Sequence, residues 1–141
     1  MFVAEILKTK GNAVFSIAPD LTVTQACAEL EQKRVGALVV CDGDQVVGVF
    51  SERDVVKALA ADGADALARP VADSMTAKVI YAEPAEEMSA LMTRMTDRRI
   101  RHLPVMQADR LVGVISIGDV VKCQIAEHAH EAESLRTYIA G

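Results

Sequence analysis

The sequence is poor in aromatic residues, with no Trp, two Tyr and three Phe among 141 residues. A core without large rings must be filled by aliphatic side chains, and hydrophobic residues make up 51% of the chain. No apolar run approaches the roughly 18 residues that a membrane-spanning helix needs. The sequence therefore predicts a globular protein with an aliphatic core and no membrane partner.

Cysteine and positive charge are also scarce. The three cysteines, Cys27, Cys41 and Cys123, include no C-x-x-C pair, which favours reduced thiols in a cytoplasmic protein over a disulfide or zinc framework. The first residues, 1–5, lack the basic start and apolar middle of a signal peptide. A net charge of -5 disfavours nucleic acid as a partner.

An internal repeat organises the chain. Residues 14–57 align with residues 79–122 without a gap, at a constant offset of 65 residues. Two copies are too few for a solenoid, so we expect a pair of related units. The predicted boundaries are a first unit with its leading helix (1–61), a linker (62–70), a second unit (71–122) and a helical tail (123–141).

Each unit is predicted to run strand–helix–strand–strand–helix. A capping box of Thr22 and Gln25 starts the first long helix, and Asp42-Gly43 is a hairpin signal between two apolar strands. In the tail, apolar residues recur at three- and four-residue steps, which fits packing on the body or on a second subunit. These tail residues are Ile125, Ala129, Ala132, Leu135 and Ile139.

The most informative motif is Gly-x-x-Ser-x-x-Asp, which ends a strand and starts a helix in both units, at 48–54 and 113–119. A helix N-terminus attracts anions, and a carboxylate can accept two hydrogen bonds from a ribose diol. The same Ser-x-x-Asp spacing is also a plain capping box, which closes a helix start and binds nothing. Both interpretations remain open at this point.

Together with Pro19, Pro84, the apolar run 36–40 and the segment 102–105, the two turns resemble a CBS-domain pair, or Bateman module. The resemblance is to the small stand-alone bacterial proteins of this family. It implies an α/β (α+β) fold, in which two pseudo-symmetric βαββα CBS units pack through their sheets. It also implies a regulatory module for energy or redox signalling, with two adenine-nucleotide sites between its units.

The resemblance further implies the site residues and their roles. The Asp of each turn would hold ribose hydroxyls, while the Ser and the helix N-terminus would face phosphate. The first site would comprise Ser16, Ile17, Val35, Gly36, Ala37, Ser51, Arg53 and Asp54. The second would comprise Val79, Ile80, Tyr81, Ile100, Arg101, His102, Leu103, Pro104, Ser116 and Asp119. The expected ligands are AMP, ATP, NAD or NADH, and the expected assembly is a homodimer that an unidentified protein partner could read.

The flanks of the two turns differ. Arg53 corresponds to Gly118, and Gly36 corresponds to Arg101, so we hypothesise that the two sites prefer different adenine nucleotides, such as AMP in one and NAD in the other. The alternative function is a protein-interaction module with vestigial nucleotide sites. Catalysis is not expected, because no nucleophile with a placed base is recognisable. Metal binding is not expected either, since His128 and His130 point to different sides of a helix.

Overall fold

A computed structural model describes residues 1–11 and 14–140 of the chain. The helices are α1 (Val3–Lys10), α2 (Val23–Lys33), α3 (Glu52–Asp62), α4 (Met88–Arg98) and α5 (Ile117–Ala140). The strands are β1 (Ser16–Ile17), β2 (Ala37–Asp42), β3 (Gln45–Ser51), β4 (His102–Gln107) and β5 (Arg110–Ser116). Two short 3₁₀ helices span Gly63–Ala68 and Val71–Asp73. Within the described residues, no helix combines the length and the apolar character needed to cross a membrane.

The chain divides into two compact units. Ala13–Ile80 forms one, here called the continuous unit. Met1–Asn12 together with Tyr81–Gly141 forms the other, here called the split unit because it is made of two separate segments. The α+β architecture predicted from the sequence is confirmed.

The continuous unit holds a three-stranded sheet in the order β1-β2-β3. β1 runs parallel to β2, and β2 and β3 form the predicted antiparallel hairpin. The helices α2 and α3 begin as the sequence predicts: the Gln25 N–H donates to the Thr22 hydroxyl at 3.2 Å, and α3 starts directly after Ser51. The aliphatic core is formed by buried Ile17, Val23, Ala26, Leu30, Leu38, Val40 and Val71 around one aromatic ring, Phe50.

The split unit repeats the hairpin with β4 and β5, including a register shift at the equivalent place, after Val105 instead of Val40. Its helix α1 packs against the hairpin and against the start of α4. The N–H of Val3 donates to the carbonyl of Glu86 at 2.9 Å. A Cβ added to Gly113 would lie 2.5 Å from Leu7 Cδ2, so the glycine permits this close approach of α1.

One predicted strand is reduced to a single bridge. The first strand expected in the second repeat appears only as a parallel bridge between Ala82 and Val105. In the first repeat, the N–H of Val39 donates to the carbonyl of Phe15 at 3.3 Å. Pro104 stands at the position equivalent to Val39, and since proline has no N–H, this ladder bond has no counterpart.

The compact units divide the chain differently from the boundaries predicted at 61 and 71. The leading helix α1 lies in the split unit with the second repeat, whereas residues 71–80 lie in the continuous unit with the first. The reason is specific backbone pairing: Thr76 and Val49 exchange two hydrogen bonds, at 2.9 and 3.0 Å. The predicted linker is also ordered as a 3₁₀ helix, in which Ala66 is buried.

Candidate functional site

The first turn joins β3 to α3 and centres on the buried carboxylate of Asp54. Its Oδ2 accepts hydrogen bonds from the backbone N–H of Ser51 at 2.9 Å and from the Ser51 hydroxyl at 3.2 Å. Its Oδ1 accepts from the hydroxyl of Thr76 at 3.2 Å. Asp54 therefore caps the helix, as the capping interpretation predicts. An ionised carboxylate offers about four acceptor positions, so capacity for a ligand hydroxyl remains.

The second turn joins β5 to α5 and centres on Asp119. The Ser116 N–H donates to Asp119 Oδ2 at 2.8 Å, and the Asp119 N–H donates to the Ser116 hydroxyl at 3.1 Å. Here the further partner is a cation, because Lys10 Nζ lies 2.6 Å from Asp119 Oδ2. Lys10 comes from α1 and also donates to the carbonyl of Val114. The two turns thus share the Ser–Asp helix cap, but the further partner of the carboxylate is the neutral Thr76 hydroxyl at the first turn and the Lys10 ammonium at the second.

The electrostatics of Asp119 follow from these contacts. Partial burial raises the pKa of its carboxyl, but the hydrogen bonds from Lys10 and Ser116, together with the charge of Lys10, outweigh burial and leave the pKa lowered. A carboxyl whose pKa is lowered on folding stabilises the folded state at pH values above its unfolded pKa. That stabilisation is lost as the pH falls through the lowered pKa.

Replacing Lys10 with methionine is expected to lower the free energy of unfolding by about 0.5–1 kcal/mol at neutral pH, since the pair is partly exposed. The difference from the wild type should shrink as the pH falls below the ordinary pKa of an aspartate and then through the lowered pKa of Asp119, because the protonated carboxyl no longer pairs with Lys10. Urea unfolding at several pH values measures this effect. Lys8→Met is the matched control, because Lys8 lies on the same helix and is exposed. If the difference in unfolding free energy between Lys10→Met and the wild type stayed constant in acid, the effect would come from packing of the aliphatic part of the Lys10 side chain and not from its charge.

In both units, one backbone bond ties the segment before the hairpin to the turn. The Glu52 N–H donates to the Gly36 carbonyl at 3.1 Å, and the Ile117 N–H donates to the Arg101 carbonyl at 2.8 Å. These bonds extend the hairpins, in which Ala37 is paired with Ser51. The predicted site residues Gly36 and Arg101 therefore lie next to the turns that contain Ser51 and Ser116.

The first predicted set lies entirely in the continuous unit. Ser16 is placed opposite Val39, on the strand next to the hairpin. Ser16 and Arg53 are exposed, whereas the side chain of Ile17 belongs to the core. Val35 is half-buried, like Gly36 and Ala37.

The second predicted set is divided between the units. Val79 and Ile80 belong to the continuous unit, and the other members belong to the split unit. Leu103 and Pro104 are buried in β4. His102 is paired with Ser116 across the hairpin, and Arg101 before it is exposed, as is Tyr81, while Ile100 is half-buried.

The continuous unit also contains an open groove of about 720 Å³ between α2 and α3. It is lined by Cys27, Leu30, Glu31, Arg34, Val35, Gly36, Glu52 and Val55. Two of the predicted residues, Val35 and Gly36, contribute to it. Burial raises the pKa of the Cys27 thiol, which keeps the thiol protonated and unreactive at neutral pH.

Sequence reasoning missed two residues that contact the carboxylates of the turns and one that contacts the predicted site residue Tyr81. Thr76 and Lys10 contact the two Asp carboxylates, and Arg94 donates to the Tyr81 carbonyl at 2.9 Å while pairing with Glu86 at 2.6 Å. Lys10 and Asp119 are 109 residues apart, so no local motif connects them. No group of three or more His, Cys, Asp or Glu suited to a metal ion occurs within residues 1–11 and 14–140.

Comparison with known proteins identifies the fold family. The CBS domain family profile matches residues 3–61 and 71–126. The mitochondrial CBS domain-containing protein CBSX3 of Arabidopsis thaliana is 35% identical over 148 residues, covering 99% of this chain and 72% of that protein.

Solved structures of CBS-domain proteins have a similar fold. The CBS-domain containing protein ATU1752 from Agrobacterium tumefaciens is 42% identical with a TM-score of 0.86, over 88% of this chain and 99% of that one. The CBS domain pair of protein MJ0100, solved with 5′-methylthioadenosine and S-adenosyl-L-methionine, has a TM-score of 0.80 at 22% identity, over 90% of this chain and 98% of that one. With two matched repeats over most of its length, the chain belongs to the CBS-domain family and contains a CBS-domain pair.

Proposed function

We propose that this chain is a cytoplasmic regulatory module that binds adenine nucleotides at its two Ser-x-x-Asp turns and does not catalyse a reaction. AMP, ATP and NAD or NADH are the proposed ligands, and the proposed assembly is a homodimer read by a protein partner. Ligand binding would bias the module between conformations, and the partner would respond to the population shift.

The observation that carries this proposal is the same arrangement at both turns. In each unit a Ser N–H holds an Asp carboxylate at 2.8–2.9 Å, directly at the start of a long helix. The free N–H groups of the first helical turn favour a phosphate, and the fixed carboxylate favours a ribose diol. The related pair MJ0100 was solved with two adenosine-containing molecules, which supports this class of ligand.

The partners of the two carboxylates support different ligands for the two turns. Asp54 has a neutral neighbour, the Thr76 hydroxyl, whereas Asp119 has the Lys10 ammonium. A ligand phosphate would gain the Lys10 ammonium beside the carboxylate at the second turn and the Thr76 hydroxyl at the first, where the predicted cation, Arg53, is exposed on α3. We propose that the second turn discriminates more strongly between adenosine and its phosphates.

The alternative proposal, a protein-interaction module with vestigial sites, is favoured by one observation. Both carboxylates already have partners within the chain, so each turn is satisfied without a ligand. Thr76 takes one of the acceptor positions that a ligand diol would use on Asp54, and Lys10 takes one on Asp119.

A thermal-shift panel distinguishes the two proposals. The panel comprises AMP, ADP, ATP, NAD, NADH, S-adenosylmethionine and 5′-methylthioadenosine, with GMP as a control for base recognition. A ligand at 100 times its dissociation constant stabilises the folded chain by about 2.7 kcal/mol, which raises the melting temperature by on the order of 8–10 °C for this length. No response to any ligand would support the interaction module instead, whereas equal responses to AMP and GMP would contradict recognition of the adenine base.

A further inference from the structure

The last helix, α5, ends in a segment that the rest of the described chain does not cover. Its first turns pack within the split unit, where Val120 is fully buried. From residue 128 to residue 139, every side chain is exposed. Isolated helices of this length are marginal in water, because most helical stability comes from packing of an apolar face. The segment 128–139 is called the exposed tail below. We expect another surface to pack against it and stabilise its helix.

A stripe that is apolar except for His128 runs along α5 into the exposed tail at alternating steps of four and three residues. Its members are Val121, Ile125, His128, Ala132, Leu135 and Ile139. Exposure is 44% for Val121, 65% for Ile125, 60% for Leu135 and 76% for Ile139, so the described body does not bury the stripe. This alternation is the spacing of the a and d positions of a coiled coil. Ile125, Ala132 and Ile139 take a positions, and the other three take d positions.

We propose that the exposed tail forms a parallel two-stranded coiled coil with the same segment of a second copy of this chain. At the end of the tail the core residue types agree with this assembly, because Ile at a with Leu at d favours two parallel strands, as Ile139 and Leu135 provide. Ala132 and His128 fill the two core positions before them. The proposal deepens the homodimer of the proposed function by naming the surface that joins the copies. It does not depend on nucleotide binding.

The charges beside the stripe select the same orientation. Glu131 falls at a g position and Arg136 at the following e position. In a parallel, in-register pair, g of one helix faces the next e of the other, so two Glu131–Arg136 pairs form by symmetry. An antiparallel pair would bring e positions together and place Lys122 near Arg136, which are like charges. His128 is a polar residue at a d position, and it faces the His128 of the second copy only when the two helices are parallel and in register.

The test is disulfide trapping in the full-length protein. Leu135→Cys places a thiol on the seam opposite its own copy, and Ser134→Cys places one on the next residue, at an outer c position. Under mild oxidation, we expect Leu135→Cys to give a covalent dimer in at least tenfold higher yield than Ser134→Cys, beyond the background of the wild-type cysteines. A yield no greater than that of Ser134→Cys would overturn the proposal.

Charge exchange provides a second, independent readout on the Leu135→Cys protein. Glu131→Arg alone or Arg136→Glu alone should reduce trapping, because each leaves like charges facing each other. The double exchange should restore trapping, since the pairs re-form with reversed sign. Trapping only between Ile125→Cys and Leu135→Cys proteins would show an antiparallel pair and overturn the orientation. Sedimentation of the wild type tests the homodimer separately, so a dimer that survives without trapping at residue 135 would reject the tail and keep the homodimer.

Discussion

Replacing Asp54 or Asp119 with asparagine is expected to weaken adenine-nucleotide binding at the altered turn by about tenfold or more. A hydrogen bond to a charged group contributes about 1.5–3 kcal/mol, and asparagine removes the charge while keeping one oxygen for the Ser N–H. Each side chain keeps its size, so the strand-to-helix corner should survive. Isothermal titration with AMP and with NAD, on both variants, measures the loss for each ligand and each turn.

The two variants also test whether the turns differ in preference. We expect Asp119→Asn to affect the more highly charged ligand most, because the variant also disturbs Lys10, the cation next to the carboxylate. Equal losses for both ligands in both variants would contradict different preferences. Thr22→Ala is the matched control, since it removes the capping hydroxyl of α2 away from the two turns. If Thr22→Ala reduced affinity as much, the loss would report helix destabilisation and not ribose recognition.

Replacing Phe50 with alanine is expected to cost about 3–5 kcal/mol of unfolding free energy, the range for truncating a buried ring. Phe50 is 0% exposed and is the ring around which the aliphatic core of the continuous unit is built. For a chain of this length, the loss corresponds to a fall in melting temperature of on the order of 10–15 °C. Thermal unfolding followed by circular dichroism measures it.

Two further variants calibrate that value. Ile115 occupies the equivalent position in the split unit and is also 0% exposed, so Ile115→Ala should cost about 2–5 kcal/mol. Val56 is 65% exposed on α3, and Val56→Ala should stay within about 0.5 kcal/mol of the wild type. A Phe50→Ala variant as stable as Val56→Ala would mean that the core collapses around the lost ring.

The elements that local pattern controls were predictable from the sequence. The Thr22–Gln25 capping box and the Asp42-Gly43 hairpin signal depend on residues close together in the chain, and each lies where the sequence predicts. The Ser-x-x-Asp turns are equally local, and both form. Arg34 and Arg99 show the limit of such reasoning: each ends its helix in the left-handed region, at φ 54° and 53°, where glycine is the usual residue.

What the sequence left open depends on contacts between distant segments. Nothing near Asp119 in the sequence indicates Lys10, because the contact requires α1 to pack with the second repeat. The same holds for Thr76 and Asp54, where residues after the expected linker return to β3. The first strand of the second repeat is reduced to one bridge because its neighbour carries Pro104. This could be predicted only if β4 was already known to pair with that segment. The Ser and Asp residues of the two turns were thus visible in the sequence, but Thr76 and Lys10, which contact the carboxylates, were not.

The division of the chain has a consequence for the order in which it folds. During synthesis, the continuous unit leaves the ribosome as one uninterrupted segment and can assemble at once. Helix α1 leaves before the continuous unit, yet its partners on β5 and α5 are made about a hundred residues later, as the 109-residue separation of Lys10 and Asp119 shows. Its apolar side chains, Val3, Ile6 and Leu7, are buried only then. Closing so long a loop costs entropy, so we expect docking of α1 to be a late step in folding.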